Sequence, residues 1–170
     1  MSRFRPRPTL ALVLLLATAA HAADPAPVTV RFDHPGNFTE TREVHAFAPS
    51  ESGNDYLDTL ARYIERRAAS ILAPGQHLEI VVEDVDRAGS YLPSLGSLHP
   101  VRIVEDLYPP RIRLRFRLFD EHGAVIREGE RKLTDLAFLQ DGAVAGRNTD
   151  PLRYEKRLID RWLAKGPQGL

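Results

Sequence analysis

The chain has 170 residues, of which 43% are hydrophobic and 27% are charged. This composition is typical of one globular domain rather than of a disordered or membrane-embedded chain. The chain contains no cysteine, which excludes disulfides, thiolate zinc sites, iron–sulfur clusters and cysteine nucleophiles. The 23 basic and 23 acidic residues balance, so the overall charge does not point to nucleic acid as a partner.

The first 22 residues have the pattern of a secretory signal peptide. Three arginines among the first seven residues precede an apolar run over residues 10–20, and Ala20-His21-Ala22 supplies small residues for cleavage. The run has 11 residues, whereas a membrane span needs about 20, so we expect cleavage after Ala22 rather than anchoring. Cleavage leaves 148 residues with 20 basic and 23 acidic side chains, and it predicts a periplasmic protein without a membrane span.

The next part of the chain alternates between strand and helix patterns. Residues 28–32 alternate in hydrophobicity and predict a strand that ends at turn residues. Residues 38–50 fit no single period, and a short strand over 43–47 is one interpretation. Apolar residues at three- and four-residue steps then predict a helix over residues 55–73, capped by Ser52 or Asn54.

The following part is predominantly strand. Residues 78–85 are rich in Leu, Ile and Val and predict a strand, after which a loop occupies residues 87–100. Residues 101–104 fit a short strand at an edge. Residues 111–119 alternate with period two, and after a short turn residues 124–133 return as the partner strand.

The last element of the predicted domain is a helix. It follows a loop over residues 141–148, with Asp150 as its cap and Pro151 at its first position. The expected fold is α+β, with two helices on one face of a mainly antiparallel sheet of four or five strands. The predicted division is a linker over residues 23–27, one α+β domain over 28–166 and a tail over 167–170.

Four arginines mark one face of the strand at 111–119. Arg111, Arg113, Arg115 and Arg117 occupy every second position, which puts them on one side of the strand. Guanidiniums arranged in this way can bind phosphates, carboxylates or an acidic glycan. They can also pair with carboxylates of neighbouring strands, which is the commoner arrangement on a solvated sheet. The candidate carboxylates are Glu79, Glu83, Glu128 and Glu130.

The register of the hairpin decides which carboxylate each arginine faces. Pairing Phe119 with Ala124 places Arg115 opposite Glu128, whereas a shift of two residues places Arg117 opposite Glu128. Either register keeps the arginines and glutamates on the same face. Ion pairing and ligand binding therefore both stay open as interpretations.

The second candidate site is the acidic segment Glu83-Asp84-Val85-Asp86. Asp84 and Asp86 fall on the same side of the strand, about 6.6 Å apart along it. Two carboxylates at that spacing can hold Ca²⁺ or Mg²⁺, or act as an acid and a base. The calcium-loop pattern is absent, however, and Asp86 can instead anchor the following turn through backbone N–H groups.

Other motifs do not predict chemistry. The five histidines after residue 22 form no zinc-binding pattern, and the glycine patterns of nucleophile elbows, phosphate loops and dinucleotide sites are absent. We therefore predict no cofactor and favour a protein that is not an enzyme. The loop over residues 87–110, with Leu92, Leu95 and Leu98 between two tyrosines, is a further candidate surface for a partner.

Several short segments, taken together and in order, can be compared with known protein families. They are Phe32-Asp33-His34-Pro35 with Phe38-Thr39, Pro74-Gly75-Gln76-His77-Leu78, Asp84-Val85-Asp86-Arg87-Ala88-Gly89, Tyr108-Pro109-Pro110-Arg111-Ile112, Leu133-Thr134-Asp135, and Tyr154-Glu155-Lys156 with Trp162. In this order the chain resembles an uncharacterised family of small secreted, periplasmic proteins of Gram-negative bacteria, a domain of unknown function. The resemblance implies export and a single domain, and it draws attention to Asp84, Asp86, Gly89, Arg111 and Asp135. Family members usually carry leucine at the position of Arg87, so this turn differs here.

Two functions stay open from the sequence. We expect a periplasmic, non-enzymatic binding or accessory protein that meets another protein or an envelope component through the arginines or the 87–110 loop. The alternative is a divalent-metal-binding protein or hydrolase centred on Asp84 and Asp86, with Asp135 as a third carboxylate. Nucleic acid is not among the expected partners.

Overall fold

The computed structural model describes residues 26–49, 51–91, 101–140 and 148–170. The predicted signal peptide, the three leucines of the 87–110 loop and most of the loop predicted over 141–148 lie outside these residues.

A four-stranded sheet forms the centre of the structure, in the order β1-β2-β5-β6. Its strands are β1 (Val28–Phe32), β2 (His77–Asp86), β5 (Arg111–Phe119) and β6 (Val125–Thr134). β1 runs parallel to β2, and the other two pairings are antiparallel. The sheet is therefore mixed rather than purely antiparallel, although two of its three pairings are antiparallel as predicted. The parallel pair arises because the long connection between β1 and β2 crosses over the sheet.

The remaining strands form a separate ribbon. β3 (Ser90–Tyr91) pairs with β4 (Arg102–Ile103), so the strand predicted over 101–104 does not extend the main sheet. Gly89 comes directly before β3 with a φ of +83°, and a Cβ at this position would lie 2.5 Å from the Ile103 carbonyl oxygen. Only glycine combines this backbone angle with so close an approach.

The described residues contain three α-helices, whereas the sequence predicted two. They are α1 (Thr39–Phe47), α2 (Leu57–Ala69) and α3 (Arg153–Leu163). The strand suggested over residues 43–47 is wrong, because those residues lie in α1. The apolar pattern of α1 is weak, since its buried residues are Glu40, Thr41 and Val44.

The predicted caps of the long helix also differ from the structure. α2 is shorter than residues 55–73, its N-cap residue is Tyr56, and no side chain caps it. Instead, the Asn54 side chain accepts a hydrogen bond of 2.8 Å from the Thr41 hydroxyl and ties α1 to the start of α2. Asp150 accepts from the Leu152 N–H at 2.8 Å, one turn before α3 begins at Arg153.

The main core lies between the sheet and two of the helices. α2 packs against β1, and α3 packs against β5 and β6. Along β5, Ile112, Leu114, Phe116 and Leu118 are buried while the intervening arginines are exposed, which confirms the period-two prediction. The predicted tail over 167–170 contributes Leu170 to this core, and Arg127 donates hydrogen bonds to carbonyls at its end.

Within the described parts of the chain, the helices are too short or too polar to cross a membrane.

Candidate functional site

The face of the sheet opposite α2 and α3 carries interleaved charges. The side chains of Arg111, Arg113, Arg115 and Arg117 are 48–54% exposed. We call this surface the arginine face. The charged residues at its positions are Arg31, Asp33, Glu79, Glu83, Asp84, Asp86, Arg111, Arg113, Arg115, Arg117, Glu128, Glu130 and Lys132.

The hairpin has the second of the two registers considered from the sequence. Arg117 lies opposite Glu128, and Arg115 lies opposite Glu130. The closest ion pairs nevertheless go to the other neighbour, β2. Arg115 Nη1 is 2.5 Å from a Glu83 oxygen, whereas Arg117 is 3.7 Å from Glu128. The carboxylates of β2 therefore hold the arginines more closely than those of β6 do.

A β-bulge brings the acidic segment to this face. The register shifts between Val82 and Asp84, so that Glu83 is the extra residue. Under strict alternation Asp84 and Asp86 would share the side of Val82, which is fully buried. The bulge changes the phase, and Asp84 and Asp86 lie opposite Arg113 and Arg111 instead.

The two aspartates have different partners. Asp84 accepts hydrogen bonds from the Thr39 N–H at 2.7 Å and from the Thr39 hydroxyl at 3.0 Å. It therefore caps the N-terminus of α1, where the helix has no cap of its own. Asp86 pairs with Arg111 at 2.9 Å. Burial raises the pKa of Asp86, although the bond from Arg111 opposes this shift.

Asp135 belongs to another part of the structure. Its side chain is 4% exposed and contacts Arg157 at 3.5 Å and Arg161 at 2.7 Å, both on α3. It also accepts from the Ala137 N–H at 3.2 Å. Among the residues described, histidines and carboxylates do not form any group of three or more suited to hold a metal ion. Asp84 thus bonds to the N-terminus of α1, Asp86 pairs with β5, and Asp135 pairs with α3.

A buried charge cluster at the end of β2 was not found from the sequence. It consists of Glu40, Arg87, Arg102 and Glu155. Glu40 is 1% exposed, accepts from Arg102, and lies 3.8 Å from Arg87. Glu155 is also 1% exposed and accepts from the Ala88 N–H at 2.8 Å. The one signal in the sequence was that Glu155 interrupts an otherwise apolar helical stripe.

Burial controls the protonation of this cluster. It raises the pKa of Glu40, against the opposing effect of Arg102 and Arg87. It also raises the pKa of Glu155, against the bond from Ala88. Tyr56 lies beside both carboxylates, and burial raises its pKa as well. These charged residues hold the chain between β2 and β3 against α1 and α3. This structural role accounts for the burial of the charges.

Several of the short segments that were compared as a set contact one another at this end of the sheet. Backbone or side-chain hydrogen bonds join Thr39 to Asp84, Asp86 to Arg111, Ala88 to Glu155, and Gly89 to Tyr108. The pair of Asp86 and Arg111 joins two strands, and the other contacts fix a backbone turn or a helix end.

A protein-family model described as "Protein of unknown function (DUF3016)" matches residues 26–165. No curated protein matches the sequence. Because the match spans well over half of the chain, including every strand and α-helix described above, the chain belongs to this family of unknown function.

Proposed function

We propose that this chain is an exported, non-enzymatic accessory protein that binds another protein through the arginine face. The observation that carries the proposal is the near balance of charge on that face. Six cationic and seven anionic side chains occupy its positions, and the four β5 arginines are about half exposed. Export is proposed from the signal-peptide pattern of the first 22 residues.

A balanced face favours a protein over a polyanion. A phosphate-rich or acidic-glycan surface would have to displace Glu83 and Asp86 from the arginines, with no excess positive charge to attract it. A protein surface with both signs of charge can exchange these pairs one for one. The face therefore recognises a partner by the positions of its charges rather than by its net charge.

The size of the face suits a transient complex. The four strands contain 5, 10, 9 and 10 residues, which at about 3.3 Å per residue and about 4.8 Å between strands cover roughly 540 Å². A standard interface buries about 800 Å² on each partner. We expect weak, salt-sensitive binding, since contacts between exposed charges are screened by salt.

The test compares two double variants of the chain expected after export. Arg113→Ser with Arg115→Ser alters the arginine face, and Arg62→Ser with Arg66→Ser removes two exposed arginines from α2 as a control. Each is immobilised and exposed to periplasmic extract, and captured proteins are quantified by mass spectrometry. Because solvated ion pairs contribute little to stability, both variants should fold like the wild type, which circular dichroism checks.

We expect a defined protein to be captured by the wild type and the control but not by the arginine-face variant. Equal capture by the arginine-face variant would contradict the proposal. Binding to anionic lipid vesicles that is lost in the same variant would replace the protein partner with a membrane surface.

A further inference from the structure

A second charged surface lies on the helical side of the sheet. It is a pocket of about 490 Å³ along α3, to whose lining α2 contributes Tyr63. This volume is within the range of small-molecule sites. The lining residues are Tyr63, Asn148, Asp150, Arg153, Lys156, Arg157, Asp160 and Arg161.

Internal contacts hold the carboxylates of this pocket. Asp160 accepts from the Tyr63 hydroxyl at 2.7 Å and from Arg67 at 2.6 Å. Asp150 accepts from Lys156. Burial disfavours ionisation of Asp150, but the bonds from Lys156 and from a backbone N–H outweigh it and lower the pKa of this carboxyl. The two carboxylates already neutralise part of the surrounding positive charge.

Positive charge remains in excess after these pairs are counted. Among the residues that the structure describes, the pocket lining and its ion-pair partners contain five cationic side chains and three carboxylates, an excess of two positive charges. The cationic members are Arg67, Arg153, Lys156, Arg157 and Arg161, and the carboxylates are Asp135, Asp150 and Asp160. The arginine face, in contrast, has no excess of positive charge. Of these two surfaces, the α3 pocket is therefore the one that attracts an anion by its net charge.

Arg153 and Arg161 are the groups best placed to meet such an anion. The guanidinium of Arg153 donates to the Asp150 carbonyl at 3.1 Å and to the Tyr154 hydroxyl at 3.2 Å, which are neutral acceptors. Arg161 shares Asp135 with Arg157 and is 50% exposed. Each guanidinium has further N–H groups to donate to phosphate or carboxylate oxygens.

We propose that the α3 pocket binds a small organic anion with two or more negative charges, presented as phosphate or carboxylate groups. A divalent cation does not fit, because the net charge of the pocket repels it. A bare inorganic ion would leave most of the volume unfilled, so the charged groups are expected on a larger organic body.

Isothermal titration calorimetry on the chain beginning at Ala23 tests this proposal. The probes are glycerol 3-phosphate and citrate, so that phosphate and carboxylate chemistry are separate arms. We expect one-to-one binding of at least one probe. The double variant Arg153→Gln with Arg161→Gln should weaken binding at least tenfold, because each lost bond to a charged group is worth that much or more.

Three controls make the result decisive. Arg62→Gln on the exposed side of α2 and the double variant Arg113→Ser with Arg115→Ser should both bind the probe as the wild type does, which separates this pocket from the arginine face. Arg153→Lys keeps the charge and should retain most of the affinity. Arg153→Gln alone replaces the double variant if that protein fails to fold, and it should also weaken binding. The absence of heat with every probe at millimolar concentration, or equal affinity in the Gln double variant, would overturn the proposal.

Discussion

Replacing Asp84 by alanine should loosen α1 without disturbing the rest of the sheet. The substitution removes both acceptors at the helix N-terminus, one 2.7 Å from the Thr39 N–H and one 3.0 Å from its hydroxyl. Losing a cap costs about 0.5–2 kcal/mol, and hydrogen bonds to a charged group contribute about 1.5–3 kcal/mol. Because Asp84 is partly exposed, water replaces some of the lost bonding. We expect a loss of about 2 kcal/mol, or about 4–8 °C in Tm.

A double-mutant cycle identifies the cause of that loss. Urea unfolding of Asp84→Ala, Thr39→Ala and the double variant should give a coupling energy of about 1 kcal/mol, since the shared side-chain bond can be lost only once. Asp86→Ala is the matched control and should cost less than about 1 kcal/mol, because its pair with Arg111 is partly solvated. An additive cycle, or an unchanged midpoint for Asp84→Ala, would show that Asp84 does not hold α1. That result would return this carboxylate to the candidate metal ligands.

Two further predictions concern the chain between β2 and β3 and its buried contacts. Gly89→Ala should cost about 3 kcal/mol or more, because a positive φ alone costs about 1–2 kcal/mol and the new Cβ would meet a backbone carbonyl of β4. Gly123→Ala has the same sign of φ with open space around it and should cost about 1 kcal/mol; equal urea midpoints would contradict the packing of the ribbon. Burial raises the pKa of Glu155, so ionisation of this group weakens the fold as pH rises through its folded pKa. The Tm of Glu155→Gln relative to the wild type should therefore be higher at about pH 8 than at about pH 4. The opposite order would refute this reasoning.

The elements that sequence reasoning predicted well are those whose information is local. The alternation of arginines and apolar residues in β5 needs no knowledge of the rest of the fold, and it fixed which face of the strand is buried. α1 was missed because its stabilising partner is remote. Its N-terminus is capped by Asp84, 45 residues away, and Glu40 occupies a buried position that an apolar residue would normally mark.

The candidate site was predicted only in part, because the sequence shows local patterns but not contacts between remote residues. Period two grouped the arginines correctly, but it could not locate the bulge at Glu83, which depends on how β2 pairs with β5. The buried charge cluster brings together residues 40, 87, 102 and 155, whose charges read individually as surface positions. Only the tertiary fold places these opposite charges close enough to be buried.

The alternation in β5 also matters before the sheet exists. Its nine residues carry four positive charges and no negative one, interleaved with large apolar side chains that would otherwise favour intermolecular β-pairing. In the unfolded chain these like charges repel another copy of the same segment and act as gatekeepers against aggregation. The carboxylates that lie closest to Arg111 and Arg115 are 25 and 32 residues earlier in the chain and reach these arginines when β2 pairs with β5. Pairing with β2 therefore neutralises part of the charge that keeps this segment soluble, once the segment is no longer free to pair with another copy.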